Sequence, residues 1–89
     1  MSSQEPPKIE FPCDYPIKVL GRAREDFQAV ILEVFELHAP GFDAEGIQVR
    51  ASSGGRFTSI TVTIFATGPQ QLTSLHEALM ATGLVSMVL

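Results

Sequence analysis

Gly46-Ile47-Gln48-Val49-Arg50-Ala51-Ser52-Ser53-Gly54-Gly55-Arg56-Phe57-Thr58-Ser59-Ile60-Thr61-Val62-Thr63-Ile64-Phe65-Ala66 decides the architecture of this chain. Ile47, Val49 and Ala51 alternate with polar residues before the turn sequence Ser52–Arg56, and Ile60, Val62 and Ile64 alternate after it. Period-two apolar spacing marks strands with one buried face, and a glycine pair between them supplies the positive φ of a tight reversal. The stretch reads as a β-hairpin.

Outward from the hairpin, a helical pattern lies on each side. Phe27, Val30, Ile31, Val34, Phe35 and His38 follow the i, i+3, i+4 spacing of a buried stripe, which predicts a helix over 24–38 with Glu25 and Asp26 at its positive end. Ala39-Pro40-Gly41 ends it, because proline cannot continue a helix, and an acidic loop, 42–45, leads into the hairpin. Beyond the hairpin, Thr67 with Pro69 and Gln70 suggests a capped helix start, and Leu72, Leu75, His76 and Leu79 form a second stripe up to Gly83. One apolar run flanks each helix: 15–20, with Ile17 and Val19 facing one way and Lys18 and Leu20 the other, and 84–89 at the other end. Gly21 is expected to turn the first strand into its helix. Residues 1–12 carry Ser2-Ser3, Pro6-Pro7 and Pro12, and read as a flexible arm with Ile9 and Phe11 as its anchors, leaving 13–89 as one domain.

The order strand-helix-strand-strand-helix-strand gives two helices with one apolar stripe each and four strands. Both stripes are buried if the helices lie on one face of a four-stranded antiparallel sheet, the α+β ferredoxin-like βαββαβ arrangement. Right-handed crossovers put the first and third strands in the centre. The other sheet face stays open, and on it the pattern places Lys18, Leu20, Arg50, Thr61, Thr63, Phe65, Leu84 and Val88.

Eighty-nine residues make one small core. Six basic residues are scattered against ten acidic ones, net charge −4, so no stripe for a phosphate backbone is expected and nucleic acid is not a predicted partner. Cys13 is the single cysteine, which points to a reducing, cytoplasmic setting, and no apolar run reaches the roughly 20 residues of a membrane span. A soluble protein with no membrane association is the expectation.

Ile9-Glu10-Phe11-Pro12, Ile17-Lys18-Val19-Leu20-Gly21, His38-Ala39-Pro40-Gly41 and the closing Met87-Val88-Leu89, in this order and spacing, resemble the YbeD-like family of small bacterial proteins. The resemblance covers about Ile9 to Leu89. It implies a ferredoxin-like fold similar to the ACT regulatory domain, a cytoplasmic setting, no established activity, and a suggested link to lipoate metabolism. It supplies no catalytic residues. ACT domains commonly carry an Asp-x-Pro-Gly type turn after the first strand, where this chain has Leu20-Gly21-Arg22-Ala23.

The residues that could carry chemistry read mostly as structure. His38 and His76 are two ligands on separate helices without a cysteine or clustered carboxylate, too few for a closed zinc site. Cys13 has no cation beside it in the sequence to lower its pKa. Gly54-Gly55-Arg56 lacks the lysine, hydroxyl residue and following helix of a phosphate-binding loop. Gly21-Arg22-Ala23-Arg24 sits where acylphosphatases bind phosphate, without the Gln-Gly-Val that accompanies that arginine. Arg56-Phe57-Thr58-Ser59 echoes an RNA-recognition motif, but the expected open face offers one aromatic, Phe65. No metal, cofactor or catalytic group is therefore predicted. Two expectations remain. The first is a non-enzymatic interaction or regulatory module that self-associates or docks an unknown protein partner on the open sheet face. The alternative is an ACT-like domain that binds a small metabolite at a ligand loop of Gly21 and Arg22, where helix amides and arginines could hold a carboxylate.

Overall fold

The computed structural model describes residues 10–52 and 54–89. Strand β1 (Cys13–Arg22) leads to helix α1 (Phe27–His38), a short 3-10 turn (Ala44–Gly46), the hairpin strands β2 (Gln48–Ala51) and β3 (Phe57–Ala66), helix α2 (Pro69–Ala81) and strand β4 (Val85–Val88). The sheet order is β2-β3-β1-β4 with every neighbour antiparallel. The two long strands are central, as the crossover argument requires.

Alternation sorts the sheet into two faces. Ile17 and Val19 of β1 and Ile60, Val62, Ile64 and Ala66 of β3 are buried against Phe27, Ile31 and Phe35 of α1 and Leu75 and Leu79 of α2. Full burial of a side chain of this size contributes about 1.5–3 kcal/mol, so these residues hold the layers together. Phe42 meets Phe35 edge-on at 6.2 Å between ring centroids, which pins the loop after α1. Phe11 packs against the same core, whereas Ile9 lies outside the described residues. The helices leave β2 uncovered: Val49, opposite core Ile60, is 45% exposed.

Several local expectations shift. α1 begins at Phe27 rather than residue 24; the Asp26 carboxylate pairs with Arg24 at 3.0 Å instead of capping the helix, and no acidic residue lies in the first turn. α2 begins after Gly68, one residue later than a Thr67 cap would give. Gln71 rather than Gln70 therefore reaches back, its Oε1 accepting from the Thr67 N–H at 2.8 Å while its Nε2 donates to the His38 carbonyl at 3.0 Å. One side chain thus joins the end of α1 to the start of α2. Among the described residues of the hairpin turn Gly55 alone has positive φ (70°), and the Ser52 hydroxyl accepts from the Phe57 N–H at 3.1 Å.

Gly21 does not make a turn. It lies inside β1, buried, where an added Cβ would press on the Leu84 carbonyl and the Phe27 ring. The strand continues to Arg22, and the Ala23 N–H donates to the Arg56 carbonyl at 2.9 Å.

Pro16 sits in the middle of β1 without breaking it. Lys18 exchanges both of its backbone bonds with Leu89, so Pro16, two residues earlier, also points its nitrogen away from β3. Among the described residues no strand pairs with β1 there, so the missing N–H costs no ladder bond.

Candidate functional site

The open face is built in rows. The register of β1 with β3 runs unbroken from Cys13 opposite Ala66 to Arg22 opposite Phe57, so every second residue of both strands turns away from the helices. Across the order β2-β3-β1-β4, one row reads Arg50, Ser59, Leu20, Met87. The next reads Gln48, Thr61, Lys18, Leu89. Phe57 and Arg22 form a row at the hairpin end, Thr63 and Pro16 one toward the other end, and Phe65 and Asp14 the last.

Lys18, Leu20, Arg50, Thr61, Thr63 and Phe65 thus share this face. Leu84 and Val88 do not. Val88 pairs with Val19 and packs against the core, with Leu84 also packed there, and the outward residues of the last segment are Met87 and Leu89. Val88 takes its inward side from its pairing with Val19, and a register shift between Leu20 and Gly21 then lets Val85, three residues earlier, face the core as well. Arg22 and Phe57 join this face in addition: the sequence pattern ends β1 at Gly21 and so puts Arg22 in the ligand loop rather than on the sheet, whereas Phe57 is in step with Phe65 along β3, a signal available in the alternation.

Large apolar side chains stand in solvent on this face: Phe65 is 56% exposed, Met87 49% and Leu89 66%. Ser59 is buried between its row neighbours Leu20 and Arg50. Lys18, Arg22 and Arg50 surround Leu20. Among the described residues the one ion pair is Arg24–Asp26, so these three cations are held in none.

The other sequence candidates fall elsewhere. Gly21 is covered by Phe27 and Leu84 and offers no loop amide; Arg22 and Arg24 instead border a shallow cleft of about 180 Å³ with the segment Gly83–Ser86. Arg22 also borders a second cleft with Arg56 and Phe57. A groove of about 190 Å³ runs between α2 and the β1–β4 edge, lined by Ile17, Leu72, Leu75 and Val88 with Tyr15 and His76 among its polar residues. His76 is exposed rather than in the buried stripe, and His38 is half-buried in the last turn of α1. Cys13 is half-buried at the start of β1, on the helix side opposite Ala66. Among the described residues no three of His, Cys, Asp and Glu converge on a point that could hold a metal ion. No helix among them is long and apolar enough to cross a membrane.

The fold has solved counterparts. The solution structure of protein HP0495 from H. pylori superposes with a TM-score of 0.79 at 17% identity, covering 100% of this chain and 93% of that one. The crystal structure of the ACT domain from GTP pyrophosphokinase of Chlorobium tepidum superposes at 0.66 with 19% identity, over 86% and 97% of the two chains. At these identities the likeness is one of fold alone. In sequence, a UPF0250 protein of Pseudomonas paraeruginosa is 55% identical over 86 residues, 96% of this chain and 92% of the relative. A UPF0250 protein of Chromobacterium violaceum is 40% identical over the full length of both. The family model described as "Protein of unknown function (DUF493)" matches residues 6–89. These matches bear out the YbeD-like resemblance, and this chain, with its ACT-like ferredoxin fold, belongs to the DUF493 (UPF0250) family.

Proposed function

We propose that the protein is a non-enzymatic docking module that binds another polypeptide on its open sheet face. The observation that carries this is the exposure of Phe65, Met87 and Leu89 on the side of the sheet that no helix covers. Leaving large apolar side chains in water forgoes the burial energy each offers, about 25 cal/mol per Å² of apolar surface, and a partner laid on the face recovers it. Among the described residues no cluster of metal ligands forms, and an exposed apolar face needs none to recognise a partner.

The test is the size of the native assembly. Gel filtration of native extract should place the wild-type protein ahead of its monomer position, and the double variant Phe65→Glu, Met87→Glu at it. Both positions are exposed, so the fold should survive. Wild type and variant both eluting as monomers would sink the proposal.

A second reading rests on the cleft bordered by Arg22, Arg24 and Gly83–Ser86, taken with the fold shared with the ACT domain. There the protein would be a regulatory domain holding a small carboxylate, an amino acid or a lipoate-related acid, against the arginines. Its experiment is a thermal-shift screen of those acids, and the absence of any stabilisation of wild type removes it.

A further inference from the structure

Charge divides this molecule by face. The strands contribute Lys18, Arg22 and Arg50 to the open face against a single acid, Asp14, which stands in the last row beside Phe65. The helices carry the opposite sign, with Glu33 and Glu36 of α1 and Glu77 of α2 all exposed. A chain with net charge −4 has therefore gathered its strand cations on one end of the uncovered face.

From this we infer that the open face takes an acidic segment of a partner protein, seated with aliphatic anchors on Leu20, Met87 and Leu89 and with carboxylates toward Lys18, Arg22 and Arg50. The inference rests on the docking reading above and adds the chemistry of the partner. At a strand spacing of about 4.8 Å and a rise of about 3.4 Å per residue, the three cations fall within roughly 15 Å of one another. That is the length of about ten residues of helix. Three cations of one sign on one end of a face add to its positive potential, which draws and orients an acidic segment.

Nucleic acid fits the same face less well. Bases gain most of their affinity by stacking on aromatic rings between the cations that hold the backbone. Here the two rings of the face stand at opposite ends of it, Phe57 beside Arg22 and Phe65 beside a carboxylate, eight residues or about 27 Å apart along β3, too far to stack neighbouring bases, and the residues flanking the cations toward β4 are Met87 and Leu89. Flexible aliphatic side chains suit the apolar stripe of a peptide.

The experiment places a photo-crosslinking benzoylphenylalanine at Met87, on the open face, and separately at Met80, exposed on α2, in the full chain within its native cells. Adducts are mapped by mass spectrometry in the wild-type background, in Lys18→Glu, Arg50→Glu and in the neutral Lys18→Gln, Arg50→Gln, each checked for an unchanged melting curve. The expected result is an adduct from position 87, absent from 80, whose crosslinked segment is rich in Asp and Glu. Its yield should fall about tenfold on charge reversal and by a smaller factor on neutralisation. An adduct at 87 with a segment not enriched in acid, with nucleic acid, or with a second copy of this chain overturns the inference, as does a yield that ignores charge reversal. A protein adduct of either kind leaves the docking reading standing. No adduct at 87 above the level at 80 overturns both.

Discussion

Gly21 shows how one residue type is fixed by its neighbours rather than by its backbone angles. Its φ is not positive, and what excludes a side chain is the close approach of the Leu84 carbonyl and the Phe27 ring. Gly21→Ala should cost about 1–3 kcal/mol, because the obstructing atoms are backbone and a fully buried ring with nowhere to move. A denaturation midpoint equal to wild type would show that the strand and the β4 segment sit farther apart. The sequence marks the position as glycine but cannot say why, since close approach is a property of segments some sixty residues apart. Gln71 is a second such residue. Its amide satisfies both the Thr67 N–H and the His38 carbonyl, so Gln71→Ala should lower stability by about 1–2 kcal/mol, read as a drop in melting temperature.

At the scale of elements, β3 and the helical stripes were legible because each has one buried and one open side, and β2, exposed on both, was legible through its alternation and the turn that joins it to β3. The last strand was not. Leu84-Val85-Ser86-Met87-Val88-Leu89 is apolar on both sides, so period two marks no face, and the shift opposite Leu20 and Gly21 then sets which residues turn inward. That placement has a direct check. Val88→Asp puts a carboxylate against Val19 and the core and should destabilise by about 3 kcal/mol or more, whereas Met87→Asp, one residue earlier, should stay within about 0.5 kcal/mol of wild type. Equal effects on the melting temperature would contradict the register. The start of α1 was misplaced for a similar reason: the Asp26 carboxylate is taken up by Arg24, a competition that spacing alone does not reveal.

Over the whole molecule, protection should fall from the centre of the sheet to the hairpin edge. Val19 and Ile60 stand opposite each other between the two central strands and are fully buried. In β2 the amides alternate: Ser52 donates to the Phe57 carbonyl, so Val49 and Ala51, out of phase with it, turn theirs to solvent. Amide hydrogen exchange should find Ile60 and Val19 among the slowest and Val49 and Ala51 among the fastest strand residues. Slow exchange at Val49 would mean that the outer edge of β2 is covered in solution. The opposite side of the sheet is guarded by other means. Along the stretch of β1 that β4 does not reach, an arriving strand would look for a donor at residue 16 and meet a pyrrolidine ring, with the carboxylate of Asp14 two residues on. Templated fibre growth, the standing hazard of any unpaired β-edge, finds no donor at that residue, and the outer edges of β2 and β4 are only four residues each, so an uncovered apolar face is set on a sheet whose edges offer little to an added strand.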